Sequence, residues 1–120
     1  MDSSNGNDSS LPPLDDVFVL LSHKRRRYLL HCLTEIGPRV SLPDLADEVS
    51  VREHGCPLTD IPEDDVLAVY ISLYHQHIPL LATAGLVQYN QERDLVRVTA
   101  DVERLLQEIP DSHLDRGNDP

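Results

Sequence analysis

Residues 84–99 read AGLVQYNQERDLVRVT. Gly85 closes a long apolar pattern, and with no Cβ it suits the left-handed turn that ends a helix. Behind it, LVQY and LVRV flank the polar NQERD, the pattern of two strands joined by a turn, without the Asn-Gly pair of the tightest hairpins.

Upstream of this hairpin the apolar residues recur at helical spacing. Leu14, Val17, Phe18 and Leu21 form one face of a short helix with acids in its first turn. Ser22 is placed to cap a second helix, KRRRYLLHCLTEI, which Gly37-Pro38 stops. Ser41 caps a third, LPDLADEVSVRE, with Pro43 in its first turn and Gly55 beyond its end. After the loop GCPLTD, an apolar pattern runs from Ile61 to Ala84, with Asp60 and Glu63 at the spacing of a capping box. Downstream, Thr99 is placed to cap a last helix with Val102, Leu105, Leu106 and Ile109 on one face. Residues 1–13 and 111–120 are polar and acidic, and are expected to be tails without a core around one domain over 14–110.

The expected fold is therefore mainly α with a small β-hairpin, in the order α-α-α-α-β-β-α. LSHKRRRYLLHCL, VSLPDLADEV, HIPLLATAGLVQY and AGLVQYNQERDLVRVT together resemble the ArsR-like winged helix-turn-helix, and residues 14–105 resemble an uncharacterised haloarchaeal winged-helix family. The resemblance implies a DNA-binding transcription regulator, with a recognition helix ending at Ala84 laid in the major groove and the hairpin as a wing on the backbone. It also implies a homodimer paired through the terminal helices, Leu14 to Leu21 and Val102 to Ile109. Two departures stand out. The segment 55–61 is longer than the tight turn of an ordinary helix-turn-helix, and Pro79 inside the recognition helix removes a bond to the carbonyl of His75.

At about 100° per residue, Leu67, Ile71, Tyr74, Ile78 and Leu81 share one arc of a straight helix and form its expected core seam. Asp65, Ser72, Gln76, Pro79 and Thr83 lie opposite, with His75 at the edge. Gln and Ser suit base edges, so Ser72, His75 and Gln76 are the candidate readers. Val69, Leu73 and Leu80 make a second apolar strip, packed within the monomer or offered to a partner. In the basic run, Leu29, Leu30, Leu33 and Ile36 define the buried side; Arg25 and Arg26 at its edges are expected to pair with acids, and Lys24 and Arg27 point outward. By the resemblance, Arg93 in the turn and Arg97 on the second strand are candidate phosphate contacts, joined by Lys24 and Arg27.

The chain's 21 acids against 10 Lys and Arg give a net charge of -11, which excludes a protein that coats nucleic acid or an anionic membrane by charge alone. One Lys against nine Arg, and an acidic surface, fit a halophile's cytoplasm. Cys32 and Cys56 lack CxxC spacing, as in a reduced intracellular chain. No apolar run approaches the ~20 residues of a membrane span. No Gly-rich phosphate loop, Gly-x-Ser-x-Gly elbow or Cys-His pairing indicates an enzyme, and His75 and His77, two apart, diverge on a helix, so neither metal nor cofactor is expected. The alternative function is a winged-helix protein-interaction module without DNA binding, using the Val69-Leu73-Leu80 strip or the acidic helix ends.

Overall fold

The structure, a computed structural model, describes residues 13–37, 39–100, 102 and 104. The helices α1 (Leu14–Leu21), α2 (Lys24–Ile36) and α3 (Leu42–His54) come first, with the two-residue strand β1 (Val40–Ser41) between α2 and α3. A 3-10 turn (Leu58–Asp60) leads into α4 (Glu63–Ser72), which continues through a π turn (Leu73–His77) into α5 (Ile78–Thr83). Strands β2 (Val87–Asn90) and β3 (Leu95–Val98) follow, and beyond them the described residues 100, 102 and 104 are helical. The domain is thus mainly helical with a β-hairpin wing, a winged helix-turn-helix arrangement. The expected tails, and residues 105–109 of the expected last helix, lie outside the described residues.

The sheet is antiparallel in the order β1-β3-β2, so the hairpin is two strands of three. Val40 pairs with Val96 and Ser41 with Leu95, while Val87 faces Val98 and Gln88 faces Arg97. Val40, Val87, Val96 and Val98 turn inward to the core, and Gln88 and Arg97 stand exposed, as a pleat of period two demands. Two residues carry no periodicity, which is why β1 is invisible in the sequence alone; it exists because β3 offers an edge that needs a partner.

Local caps set most boundaries. Ser41 ends β1 and starts α3, its hydroxyl accepting the Asp44 amide at 3.2 Å. Gly55, at φ 69°, returns its amide to the Val51 carbonyl at 2.8 Å and ends α3. Gly85, at φ 84°, closes α5: its amide reaches Ala82 O at 3.0 Å and the Leu86 amide reaches Leu81 O at 2.9 Å, the paired bonds of a Schellman end. Two expected caps differ. His23, not Ser22, precedes α2, its Nδ1 accepting the Arg25 amide at 3.2 Å, because the Ser22 hydroxyl is drawn back to the Val19 carbonyl. Pro62 precedes α4 with no side-chain cap, because Asp60 is spent in the 3-10 turn and the helix starts only at Glu63. Thr99 stands where expected, directly before helical residues 100, 102 and 104, with its carbonyl accepting the Val102 amide at 3.0 Å; its hydroxyl donates to Gly85 O at 3.1 Å, tying the end of β3 to the base of the wing.

The largest correction concerns the long helix. The expected seam residues Leu67 and Ile71 are 54 % and 47 % exposed, while Val69 and Leu73 are buried. The cause is the π turn: the Ile78 amide bonds the carbonyl of Leu73, five residues back. One residue too many per turn rotates everything upstream by about 100° relative to a straight helix. Counting back from Leu81 and Ile78, the buried face therefore passes through Leu73 and Val69. Pro79, with no N–H for the His75 carbonyl, adjoins this turn, so the loss falls where the ladder is already open. On α2, Leu29, Leu30 and Leu33 are buried as expected, but Ile36 is 44 % exposed, since the helix ends there and Gly37 turns the chain away.

Candidate functional site

His75 and Gln76 lie in the π turn with exposed side chains. Tyr74, beside them, anchors the turn: its hydroxyl accepts from Gln91 Nε2 at 3.1 Å, and its ring meets Tyr89 edge-on at 6.4 Å. The hairpin is thereby held against the π-turned helix. Ser72 is half-buried, and its hydroxyl accepts from Arg25 Nη1 at 3.0 Å, so it stands one layer below His75 and Gln76. Its own proton remains available for donation.

The wing turn, Gln91 to Asp94, is built by side chains at both ends. Asn90 Oδ1 accepts the Arg93 amide at 3.1 Å, and Asp94 takes φ 57°, a conformation Asp tolerates. The Tyr89 hydroxyl donates to Asp94 Oδ1 at 2.8 Å; burial and that carboxylate push the phenol up to about 12. Arg93 and Arg97 are both exposed, Arg97 Nε donating to Gln88 Oε1 across the strands at 2.7 Å.

β1 adds a residue to this face that the sequence pattern does not single out. One step outward from the Val40–Val96 pair, the antiparallel register sets Arg39 opposite Arg97. Arg39, Arg93 and Arg97, with Gln88, Asn90 and the acidic Glu92, line one concavity on the outer face of the sheet. The side chains of Arg39 and Arg93 have no hydrogen-bonded or ionic partner among the described residues. No signal short of the strand pairing places Arg39 there.

The basic run divides differently from its expected split. Arg25 does pair with an acid: it clasps Glu53 through Nε and through Nη2, the latter at 2.8 Å, joining α2 to α3 while its third nitrogen holds Ser72 of α4. Arg26 turns to a histidine instead of an acid, donating Nε–H to Nδ1 of buried His77 at 3.1 Å and Nη1–H to the Leu20 carbonyl. Arg27 does not point freely outward. It donates to the carbonyls of Leu21 and Ser22 at 2.8 and 3.2 Å, satisfying the C-terminal end of α1. Lys24 is exposed, with its ammonium 5.6 Å from the Tyr28 ring centre. Burial and the neighbouring arginines lower the pKa of His23, and His77 falls to about 4.

Elsewhere the expectations meet firmer limits. Val69 and Leu73 are sealed in the core and only Leu80 is exposed, so that strip offers no partner surface. On α1, Val17 and Leu21 are buried, whereas Phe18 and Val19 are 48 % and 66 % exposed. Among the described residues no group of three or more His, Cys, Asp or Glu could hold a metal ion, and no helix is long and apolar enough to cross a membrane.

No curated protein and no solved structure matches the chain. A family model described as Domain of unknown function (DUF7344) matches residues 18–97. That span, two thirds of the chain, runs from α1 through α2, the π-turned helix and into β3, and so takes in every element that builds the surface described above. The chain belongs to the family of domains of unknown function DUF7344.

Proposed function

We propose that this domain is a DNA-binding transcription regulator of ArsR-like winged-helix type. His75 and Gln76 face base edges, Ser72 supports them from the layer below, and Arg93, Arg97 and Arg39 hold phosphates. Lys24 adds a flanking contact, and Arg27, already committed to the end of α1, contributes its residual charge. Exposed Phe18 and Val19 on α1 support a homodimer through the terminal helices.

One observation carries the reading. In a chain of net charge -11, three arginines gather on one outer face of the sheet, and Gln91 and Tyr89 clamp its hairpin to the helix bearing His75 and Gln76. A rigid pairing of an uncharged polar helix face with a cationic ribbon suits a groove and its backbone, because phosphates position the protein and base edges specify the sequence. The exposed acids Glu63, Asp64 and Asp65 at the start of α4 confine contact to the other end of that helix.

The test is a fluorescence-anisotropy titration of the full chain with duplex DNA from upstream of its own gene, from low to molar KCl. Saturable binding that Gln76→Ala shifts in sequence preference supports the reading. Absence of binding at every salt concentration overturns it.

A further inference from the structure

We propose that the groove between α3 and α4 is a docking site for an amphipathic helix of another protein, one whose apolar side chains are bordered by Arg or Lys. The long segment after Gly55 creates this groove. Instead of a tight turn, the 3-10 turn at Leu58–Asp60 stands between the two helices and leaves a cleft of about 480 Å³. Buried Ala46 and Ile61 lie at its floor, and Leu58 and Leu67, 38 % and 54 % exposed, lie at its walls. Ile71, 47 % exposed, continues the apolar strip one turn beyond Leu67. The π turn is what brings Leu67 and Ile71 to the surface, so their exposure is built into the helix.

The charge around the cleft selects the occupant. Among the described residues Asp47 and Glu63 line it and no Lys, Arg or His does, and Asp60, Asp64 and Asp65 are exposed in the adjoining turns, Asp65 with His54 Nε2 at 3.6 Å. Burial and the nearby Asp44 raise the pKa of Asp47, as expected of a carboxylate without a cationic neighbour. Nucleic acid and anionic membranes are therefore repelled. The chain's own ends are unsuited as well: residues 1–12 hold Asp2 and Asp8 with no base, and residues 105–120 hold four acids against Arg116. A second copy fits no better, because its one basic run lies on α2, whose apolar face is already buried. The walls are helices with their backbone groups already bonded, so an extended peptide finds no strand edge, whereas a helix brings its own hydrogen bonds and needs only the cleft.

The experiment titrates the isotope-labelled full chain with a synthetic amphipathic peptide of about 16 residues, carrying leucines on one face and arginines at its borders. Expected are saturable shifts at the amides of Ala46, Leu58, Ile61 and Leu67. Leu67→Asp, a change at an exposed position, weakens binding at least tenfold. The charge-reversed pair Asp47→Lys and Glu63→Lys weakens it similarly while improving binding of the same peptide with glutamates in place of arginines. Equal affinity of a scrambled peptide, or unchanged affinity of the Leu67→Asp variant, overturns the proposal. So does sedimentation showing a dimer whose groove amides are protected from exchange, since a second copy is then the occupant.

Discussion

Arg26 donates its Nε–H to Nδ1 of His77 across 3.1 Å, and His77 is 1 % exposed. The ring must therefore offer a lone pair at Nδ1 and stay neutral, because a protonated ring would set two donors against each other at a buried site. Burial, then the neighbouring His23, Arg26 and Arg25, bring its pKa down from 6.5 to about 4, and Glu53, which opposes this, is occupied by Arg25.

This relationship predicts an acid-sensitive fold. Between pH 6.5 and 4 the unfolded chain takes up a proton at His77 that the folded chain refuses, so stability is full above the unfolded pKa and falls as pH drops. The loss amounts to about 2–3 kcal/mol across that window. His23, also lowered, acts in the same direction. Urea unfolding at a series of pH values measures the loss. His77→Gln, which keeps an acceptor for Arg26 but cannot titrate, should flatten the curve; an equally steep curve in the variant would contradict the assignment.

The rotated helix predicts an inversion of substitution costs. Leu73→Ala empties a fully buried position and should cost about 2–5 kcal/mol. Leu67→Ala, on the surface, should stay within about 0.5 kcal/mol. A straight helix demands the reverse order, so denaturant midpoints for the two variants decide whether the π turn is present in solution.

Arg25 links three helices through Glu53 and Ser72. Arg25→Ala should destabilise the fold by about 1–2 kcal/mol, since the half-buried Glu53 loses its bidentate partner. Arg25→Lys should recover only part of this, because an ammonium cannot span both carboxylate oxygens and the hydroxyl. A double-mutant cycle with Glu53→Gln reads the coupling directly, and additive losses would show that the contact contributes nothing.

If Arg39, Arg93 and Arg97 each meet a phosphate, three contacts at about 0.9 apiece give a slope of log K against log salt near -3. Replacing all three by Ala should remove most of that slope. Replacing Gln76 should leave the slope unchanged and relax sequence preference. An unchanged slope in the triple variant would move the phosphate contacts elsewhere.

Much of the architecture is legible in residue order. Ser41 beside Pro43, Gly55 and Gly85 are read correctly because a cap or a helix end is settled by one or two neighbouring residues. The buried Leu29, Leu30 and Leu33 face follows from spacing within a regular helix. His75 and Gln76 are exposed as expected although they lie in the π turn, and Arg93 and Arg97 are exposed in the polar turn and at an outward strand position.

By itself, then, the sequence determined the helices, the hairpin and the acidic character of the chain, all consequences of local periodicity and charge. Only the tertiary structure decided which side of the long helix is buried, because a single i→i+5 bond shifts the count beyond what any fixed period can follow. It also decided that Val40 and Ser41 pair with β3 and bring Arg39 beside Arg97, and that Arg26 finds His77 fifty-one residues away. These contacts join residues distant along the chain, and their energy depends on a packed core that exists only once the fold has formed.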